Sequence, residues 1–554
     1  MYNEVRNNTV AHGKRAINVE RSHYNTIVNN DVADQKFGIY LTAAEGNELS
    51  ENSAYLNSNH GIVLESCNNN RLENNTASSN NGYGIYIVNS DSSNLTGNTA
   101  DSNLIYGICF VDSGNNSITN NTAVNNTRGI FLLRSSESTI LDNLALNNEY
   151  GIRIASGMDS NVSRNEVANG NSSGISLLNS VNCTINENQL LNNSLGIDLE
   201  LSNNTVVLNN SIKEGGRGIS LRDSGYNLVS NNTALNNRYG IYITRSQGNE
   251  LFNNTASTSV NHGVVLVNST DNSFINNIMN SNEGHGVYLS NSSINTFDNN
   301  TATDNSRGFF LISSVGNNIL NNTILDNREY AVLLSYCTGN NISGNEASNS
   351  GRGIHLSTSQ NNIISRNIIS LNSISGIFMT STSNGNKVFD NYLNNVFNSD
   401  VKSGSEGNVW NITKTAGINI VGGPFIAGNF WAKPDGTGFS QTATDGDEDG
   451  IADTAYKLPG NEYSDFLPLV GGFEPKQPVK PPEDFNNISS GTGTNEMPVN
   501  KTENKNEVNK TEINKTEVNK MEDKTEINKT EVNKTEDKIE INKTEVNKME
   551  NKTG

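Results

Sequence analysis

Residues 84–106 read GIYIVNSDSSNLTGNTADSNLIY, and this pattern decides the fold. The Gly-Ile pair that opens the segment has a counterpart every 22 or 23 residues, seventeen times in the chain. A fixed period in this range is typical of stacked supersecondary units. Within the segment, Ile85 and Ile87 alternate with other residues, which is strand periodicity, and no run is long enough for a helix. We therefore predict that each repeat is one coil of three short strands.

Aligning the repeats by their glycines gives fixed columns. The first and third residues after each Gly are apolar, and the sixth is small: Ser in most coils, otherwise Ala44, Cys67, Gly157, Cys337 or Thr382. A further column is always asparagine: Asn8, Asn30, Asn52, Asn75, Asn98, Asn121, Asn143, Asn165, Asn188, Asn210, Asn232, Asn254, Asn277, Asn300, Asn322, Asn345, Asn367 and Asn391. Stacked asparagine amides can hydrogen-bond from one coil to the next, which satisfies polar groups at a buried turn.

These columns predict an all-β protein, a right-handed parallel β-helix of about 17–18 coils of 22–23 residues each. The handedness follows from the general bias of parallel crossover connections. We expect the solenoid to occupy residues 1–400. A small C-terminal cap containing Trp410 and Trp431 is expected over residues 401–473. Residues 474–554 are predicted to be a Pro-rich linker followed by a disordered, low-complexity Asn-Lys-Thr-Glu tail.

The two ends of the chain suggest export. The tail holds seven Asn-Lys-Thr sequons, which favour a glycosylated stalk in an exported protein; one repeat expansion could also have produced them all together. They begin at Asn500, Asn509, Asn514, Asn528, Asn533, Asn542 and Asn551. No signal peptide is visible, and the first residues already fit the middle of a coil. We therefore expect either a truncation at the N-terminus or a wrongly assigned start of the reading frame, with the export signal in the missing part.

Composition excludes some classes of function. The formal net charge of −20 over 554 residues argues against nucleic-acid binding, which requires basic patches. No apolar stretch is long enough to span a membrane. The four cysteines show no metal-binding or disulfide spacing, and Cys67 and Cys337 stand in the small column in place of Ser.

An acidic segment near the C-terminus predicts a calcium site. Asp445, Asp447, Asp449 and Asp453 occupy positions 1, 3, 5 and 9 of a loop with Gly at position 6, and the Ile451 carbonyl supplies position 7. Alternating carboxylates of this kind converge on a hard cation such as Ca²⁺. Position 12 is Tyr, so the usual bidentate Glu is missing, and we expect Glu462 or Asp465 to complete the shell. The alternative is a solvated acidic loop.

A strip of aromatic and basic residues follows the Gly-Ile strands. The residue before Gly and the second residue after it are often Tyr, Phe, His or Arg. Rings pack on sugar faces and Arg binds hydroxyl or carboxylate groups, so the strip is a candidate for glycan binding. An equally open alternative is that the side chains stabilise the sheet by cross-strand stacking. The strip residues selected for glycan binding are Tyr40, Tyr86, Tyr106, Tyr150, Arg217, Tyr239, Tyr242, Tyr288 and Arg307.

Two weaker candidates for chemistry lie on the same strands. Asp198 and Glu200 are two residues apart at outward positions, about 6.5–7 Å from each other, which is within range for two-carboxylate glycoside chemistry. No neighbouring coil adds a carboxylate. His262 and His285 are equivalent residues of adjacent coils and could share a metal ion, but a third ligand is lacking. No Met, His and Cys cluster suggests copper.

The columns and the closing segment resemble the NosD-like parallel β-helix repeat family, also known as the carbohydrate-binding and sugar-hydrolase type. The closing segment comprises residues 428–431, 445–454, Tyr456 and Pro468-Leu469, and the resemblance covers about residues 5–471. It implies three roles: periplasmic copper delivery, an archaeal cell-surface protein, or a pectinase- or epimerase-like enzyme. The clustered catalytic residues of such enzymes have no match here, and the sequon-rich tail favours the cell surface.

We therefore expect a non-catalytic extracellular β-helix that binds polysaccharide or neighbouring cell-envelope proteins. The first alternative is a polysaccharide lyase, hydrolase or epimerase. The second is a NosD-type copper accessory protein.

Overall fold

The protein is a right-handed parallel β-helix of about eighteen turns, as the repeats predict. The computed structural model describes residues 3–460 and 462–471. The predicted tail and its seven sequons therefore lie outside the described residues. Within the described part, no helix is long and apolar enough to cross a lipid bilayer.

Most coils contribute one strand to each of three faces; two coils take part in face 3 only through isolated bridges at Ile278 and Thr301. Face 1 carries the Gly-Ile pairs. Its strands are Thr9–Glu20, Asp31–Thr42, His60–Glu65, Ile85–Val88, Tyr106–Val111, Arg128–Leu133, Tyr150–Ala155, Ser173–Leu178, Leu195–Glu200, Arg217–Arg222, Tyr239–Thr244, His262–Val267, His285–Ser290, Arg307–Ile312, Tyr330–Ser335, Arg352–Ser357, Ser375–Met379 and Ser399–Val401. The first two of these strands also contribute to face 3.

Face 2 precedes the predicted asparagine column. Its strands are Glu4–Arg6, Thr26–Val28, Glu48–Ser50, Arg71–Glu73, Asn94–Thr96, Ser117–Thr119, Thr139–Leu141, Asn161–Ser163, Thr184–Asn186, Val206–Leu208, Leu228–Ser230, Glu250–Phe252, Ser273–Ile275, Thr296–Asp298, Asn318–Leu320, Asn341–Ser343, Ile363–Ser365 and Lys387–Phe389.

Face 3 follows the asparagine column. Its further strands are Ser53–Tyr55, Thr76–Ser78, Thr99–Asp101, Thr122–Val124, Leu144–Leu146, Glu166–Ala168, Gln189–Leu191, Ser211–Lys213, Thr233–Leu235, Thr255–Ser257, Thr323–Leu325, Glu346–Ser348, Ile368–Ser370, Tyr392–Asn394 and Phe430–Ala432. The C-terminal segment adds strands Thr415–Ala416, Phe425–Ile426, Tyr456–Lys457 and Ser464–Asp465, and one short helix, Phe439–Thr442.

The core consists of apolar side chains stacked in register along the axis. Ile85 pairs with Ile108 and Ile87 pairs with Phe110 of the next coil, and all four are fully buried. Burying one such side chain contributes about 1.5–3 kcal/mol. A thin stack repeated in every coil therefore supplies a continuous core despite the low hydrophobic content of the chain.

The predicted asparagine column forms a continuous hydrogen-bonded ladder. Asn98 donates from its side-chain amide to the Asn121 side-chain oxygen at 3.0 Å and to the Leu72 carbonyl at 2.9 Å. Its own oxygen accepts the backbone N–H of Asn75 at 3.0 Å and the Asn75 amide at 2.9 Å. Asn98 is fully buried. Asparagine is required here because its amide both donates and accepts, which an apolar side chain cannot do.

Two further amide ladders run beside the first, and the sequence analysis did not identify them. They lie five residues before and five residues after the central ladder, where asparagine is frequent but not invariant. Asn295 donates to Asn317 at 3.0 Å in one, and Asn305 accepts from Asn282 at 3.0 Å in the other. All three corners of the coil are therefore closed by amide hydrogen bonds.

The frequent Asn-Asn pairs also have a geometric cause. The residue before each central-ladder asparagine has a positive φ, for example 54° at Asn74, Asn120 and Asn231. Among residues with a Cβ atom, asparagine tolerates this left-handed conformation best. The first asparagine of each pair therefore turns the chain, and the second bonds to the neighbouring coils.

The column of small residues is present, with one correction, and its serines are hydrogen-bonded from one coil to the next. Ser90 donates its backbone N–H to the Ser113 hydroxyl at 2.9 Å, and this contact recurs along the column. In the last full coil, the sequence alignment placed Thr382 in this column. The structure shows Thr382 exposed with φ 69°, while Ser383 is fully buried and accepts the N–H of Ser359 at 3.4 Å. An inserted residue in that turn displaces the column by one position.

The segment after residue 401 covers the C-terminal end of the core. Trp410 and Trp431 are buried, lie 5.7 Å apart between ring centroids, and belong to the same apolar cluster as the coils. The central ladder continues into this segment, because Asn391 donates to Asn429 at 2.9 Å across an interval of 38 residues. The stacking of asparagines therefore continues into the C-terminal segment, beyond the last coil that has the regular sequence pattern.

The ladder predicts a strong dependence of stability on its internal members. We expect Asn98→Ala to lower the free energy of unfolding by about 3 kcal/mol or more, because each buried group left without a partner costs about 1–3 kcal/mol. Urea unfolding followed by circular dichroism measures the change.

The matched control is Asn94→Ala. Asn94 is exposed and lies at the start of the strand that precedes Asn98. Its replacement should change stability by about 0.5 kcal/mol or less. Equal effects of the two substitutions would contradict a structural role for the ladder.

Candidate functional site

The outward side of face 1 carries two parallel columns of side chains. In a typical coil, a Cβ atom on Gly84 would lie 2.7 Å from the Gly107 carbonyl and 2.7 Å from the Asn103 amide nitrogen. Glycine is needed because the next coil approaches this closely. Its side turns inward, so the residue before it faces outward beside the second residue after it. Tyr83 and Tyr86 show this, with ring centroids 4.9 Å apart.

We call these two columns the face 1 file; it contains every residue predicted for the strip. Those residues are Tyr40, Tyr86, Tyr106, Tyr150, Arg217, Tyr239, Tyr242, Tyr288 and Arg307. The predicted alignment of these side chains on one face is therefore present in the structure. This alignment does not by itself show that the side chains bind a glycan.

Most rings of the file pack against one another. His60 and Tyr83 are stacked at 4.5 Å with planes 8° apart, and Tyr83 and Tyr106 are stacked at 4.8 Å with planes 6° apart. The guanidinium of Arg128 covers Tyr106 at 4.8 Å. Faces occupied in this way stabilise the sheet and are not presented to a sugar ring. This part of the file fits the stacking alternative.

The ring and the hydroxyl group of Tyr40 are likewise both in contact with other side chains of the protein. Arg15 lies 3.7 Å above the centre of its ring, and its hydroxyl donates to Glu65. Burial, together with this hydrogen bond, raises the pKa of Tyr40 to about 12. Tyr40 therefore stays a neutral hydrogen-bond donor at physiological pH.

The file is interrupted over three consecutive coils. The first column there holds Ser173 and Leu195, and the second holds Ser176, Asp198 and Ser220 in register. None of these side chains is large enough to continue the stack of rings. An open recess of about 410 Å³ results, lined by Asn171, Ser172, Ser194, Leu195, Gly216, Arg217, Arg222, Arg238 and Tyr239.

The acid pair lies beside this recess but is arranged differently from the prediction. Asp198 is only 3% exposed, and both of its oxygens accept hydrogen bonds from Arg222, at 2.8 and 3.3 Å. Glu200 accepts from the same guanidinium at 3.0 Å. Both carboxylates lie on the outward side of their strand, as expected, but Arg222 binds both of them and leaves Asp198 buried. Ser176 and Ser220 flank Asp198 in the adjacent coils, so neither coil adds a carboxylate at this position, as expected.

Arg222 is the residue that sequence reasoning missed. It occupies the fourth position after its Gly, where its strand pairs it directly with Glu200 of the preceding coil. The hydrogen bond to Asp198 raises the pKa of the Arg222 guanidinium, which keeps it charged. Column alignment of the fourth position would have placed these opposite charges side by side.

The two aligned histidines do not form a metal site. The rings of His262 and His285 are stacked at 4.5 Å with planes 6° apart, and His262 Nδ1 accepts the backbone N–H of His285 at 3.0 Å. Parallel rings direct their in-plane lone pairs along parallel lines and not towards one ion. Burial lowers the pKa of His285 to about 3, so it is neutral.

The acidic loop brings together three of its four carboxylates. Ligand oxygens of Asp445, Asp447 and Asp453 lie within 4.8 Å of one another. Asp449 instead forms an ion pair with Lys414 and accepts the Ile451 N–H at 2.8 Å. Neither Glu462 nor Asp465 joins the cluster.

Asp465 has a structural position in the cap. It is fully buried and accepts the Asn429 N–H at 2.7 Å and the Trp431 indole N–H at 2.9 Å. Burial raises its pKa to about 6, although these hydrogen bonds act in the opposite direction. Asp465 is therefore not part of the acidic loop. It binds Asn429, the last asparagine of the central ladder.

The donor atoms present do not suit copper. Among residues 3–460 and 462–471, the only group of three or more His, Cys, Asp and Glu side chains that could hold a metal is the all-carboxylate cluster of the loop. Copper sites use imidazole and sulfur ligands, whereas carboxylates suit Ca²⁺ and other hard cations. The four cysteines are buried. No copper chemistry is therefore derived from these residues.

Comparisons with known proteins fit this architecture. A family model described as periplasmic copper-binding protein (NosD) matches residues 98–197 and 279–436. A model of the right-handed β-helix region matches residues 1–123 and 173–324. No curated protein matches the sequence significantly. None of these matches supports an archaeal origin.

Solved structures with detectable similarity are β-helical proteins of several kinds. The A-module of the mannuronan C-5 epimerase AlgE6 of Azotobacter vinelandii is 16% identical, with a TM-score of 0.39, over 54% of this chain and 90% of that one. The periplasmic alginate epimerase AlgG is 15% identical, with a TM-score of 0.28, over 52% and 75%. PfbA, a surface adhesin of Streptococcus pneumoniae, is 12% identical, with a TM-score of 0.25, over 70% and 92%.

The raised pKa of Asp465 predicts a pH-dependent cost. A carboxyl group whose pKa is about 6 when folded and about 3.9 when unfolded destabilises the fold as pH rises between these values. Asp465→Asn cannot ionise. We therefore expect the variant to gain stability relative to the parent protein from pH 4 to pH 7, by about 1–3 kcal/mol. Urea unfolding followed by tryptophan fluorescence reports on this cap directly.

The control is Asp435→Asn, which removes an exposed carboxylate whose pKa is lowered by its hydrogen bonds to Thr437. It should not gain stability over this pH range. A gap between parent and Asp465→Asn that stays constant with pH would contradict the assignment.

Proposed function

Because the chain belongs to a NosD-like right-handed β-helix family, we propose that it is a non-catalytic β-helix that binds polysaccharide through face 1. The ligand contacts the recess at the interruption of the face 1 file. Neighbouring cell-envelope proteins are alternative partners of the same surface. The proposal places the protein outside the cytoplasm, in keeping with the word periplasmic in the description of the matched family.

The recess is the observation that supports this proposal most directly. Elsewhere in the file most ring faces are covered by other rings or by arginines. Tyr239 also contacts Tyr242, His262 and Arg238, so only the rest of its surface borders the recess. At the recess, Tyr239 and Leu195 provide apolar surface beside Ser194, Asn171 and three arginines. Carbohydrate sites combine surfaces of this kind, because a sugar presents apolar C–H faces and a rim of hydroxyl groups.

The arrangement of charged groups favours binding over catalysis. Glycoside chemistry by two carboxylates requires one group to give a proton and the other to act as base or nucleophile. Asp198 and Glu200 share the Arg222 guanidinium, and Asp198 is buried. Both carboxylates therefore serve to hold Arg222 at the recess wall. A polysaccharide lyase, hydrolase or epimerase remains the alternative function.

A side chain that fills the recess should abolish binding. We expect Ser194→Trp to weaken retention of the bound polysaccharide at least about tenfold in affinity electrophoresis, because Ser194 is exposed on the recess wall and an indole would occupy the space. A panel of neutral and acidic polysaccharides identifies which polymer the parent protein retains.

Ser306→Trp is the matched control, since Ser306 occupies the equivalent position, immediately before the arginine that precedes Gly308, far along the solenoid. It should bind like the parent protein. Equal loss in both variants, or no retention of any polysaccharide by the parent protein, would refute the proposal. Product formation by the parent that is lost in Asp198→Asn would establish the enzymatic alternative.

We also propose that the acidic loop binds one Ca²⁺ ion. Asp445, Asp447 and Asp453 supply converging oxygens, and Gly450, with φ 83°, allows the sharp turn between them. Ca²⁺ takes 6–8 oxygen ligands, so the Ile451 carbonyl and water would complete the shell. Asp449 contributes only if it leaves Lys414.

Calcium binding can be measured on the full chain. We expect isothermal titration to show one site that is lost in Asp445→Asn and Asp453→Asn, because each substitution removes a charged ligand. Asp435→Asn, in a neighbouring exposed loop, is the control and should bind like the parent protein. Absence of heat at millimolar calcium would mean that the loop is a solvated acidic turn.

A further inference from the structure

The recess differs in charge from the rest of the molecule. Its wall holds three guanidinium groups, those of Arg217, Arg222 and Arg238, and no carboxylate lines it among the described residues. The whole chain has a formal net charge of −20. The recess therefore carries a local excess of positive charge on an otherwise acidic protein.

Only one of the three arginines has its charge balanced by the protein. Arg222 binds Asp198 and Glu200. The structure records no ion pair for Arg217 or Arg238 within the described part of the chain. Two positive charges thus face the same recess without a carboxylate partner.

The two unbalanced arginines are nevertheless held in place. Arg217 lies 3.8 Å from the centre of the Tyr242 ring, and Arg238 lies 5.5 Å from the centre of the Tyr239 ring. Stacking uses the flat face of a guanidinium and leaves its N–H groups available to donate. The Nε–H of Arg238 donates to the side-chain oxygen of Asn261 at 3.3 Å, so the terminal N–H groups of Arg238 are the ones that remain for a ligand. These contacts restrict both side chains before any ligand arrives, which reduces the entropy lost on binding.

We propose that the recess binds an anionic sugar residue, one that carries a carboxylate or a sulfate ester. This inference rests on the proposed function and names the class of glycan. The anionic group binds the N–H edges of Arg217 and Arg238, which match planar oxyanions in geometry. The sugar ring lies beside Tyr239. Ser194 and Asn171 on the opposite wall reach its hydroxyl groups.

The overall acidity of the protein limits what else could occupy the site. A densely charged polyanion such as nucleic acid is repelled by the net charge along the solenoid. The three interrupted coils span about 14 Å, since neighbouring strands are about 4.8 Å apart. The recess therefore suits a short glycan segment with one or two charges, and the attraction should weaken as salt rises.

The test compares ligands that differ only in charge. A short oligogalacturonate is measured against the same oligomer after carboxyl reduction, and an oligosaccharide carrying one sulfate ester against its desulfated form, by isothermal titration with the full chain. We expect at least one anionic ligand to bind about tenfold or more tightly than its neutral counterpart. The pair that shows the preference identifies the anion as carboxylate or sulfate.

A double substitution tests the two arginines. Arg217→Gln with Arg238→Gln should remove the preference for the anionic ligand, so that the anionic and neutral oligomers bind this variant with equal affinity. The control is Arg164→Gln with Arg245→Gln, which removes two exposed arginines paired with Asp142 and Asp223. It should keep the preference.

The outcomes separate this inference from the proposed function. Equal affinity for anionic and neutral ligands would overturn the anionic site and leave polysaccharide binding standing. A preference that survives the Arg217 and Arg238 substitutions would also overturn it, because the anion would then bind elsewhere. Binding of neither ligand, nor of any polysaccharide of the panel, would overturn both.

Discussion

The structure depends on amide hydrogen bonds that join each coil to the next at its corners. A parallel β-helix must turn its chain three times per coil, and each turn buries backbone groups that the strands do not pair. Asparagine solves this locally, because one side chain accepts from the preceding coil, donates to the next, and bonds a backbone carbonyl. Asn98 makes all of these contacts at once. The three ladders therefore fix the register of every strand, and the inward apolar stacks follow from that register.

This constraint leaves the outward side of face 1 free to vary. The ladders and the core occupy the inward positions. The residue before each Gly and the second residue after it belong to neither, so the fold does not require a particular side chain at these positions. In most coils these positions hold rings and guanidiniums that stack on one another, which adds cross-strand stabilisation. Replacing them by Ser176, Asp198 and Ser220 costs the fold only that addition. A binding site can thus arise in a solenoid without any change in its backbone.

The sequence predicts features that repeat, and it fails where a residue acts through a neighbour outside the pattern. The Asn column recurs in every coil and the Gly and Ile columns in nearly every coil, with Ala16 and Ala331 in place of Gly. The fold, the central ladder and the strip on face 1 could therefore be predicted from the sequence. The flanking ladders were missed because other residues replace Asn in several coils, for example Ser93, Gly170 and Thr205. Arg222 was missed because the fourth position after Gly was not aligned as a column, where it pairs directly with Glu200 of the preceding coil, and because its contact with Asp198 is diagonal. Thr382 was misplaced because one inserted residue shifts a turn while leaving the strands aligned.

Periodicity also makes departures from it informative. In an irregular fold, one serine or arginine on the surface carries no information about function. In this solenoid, each residue can be compared with the residues at the same position of sixteen other coils. The loss of rings over three successive coils coincides with the appearance of Arg217, Arg222 and Arg238 around the same space. Random loss of the stack would leave a shallow gap of no particular charge. A gap that gathers three cations, two of them held on tyrosine rings and without carboxylate partners in the described structure, has the composition of a site for an anion.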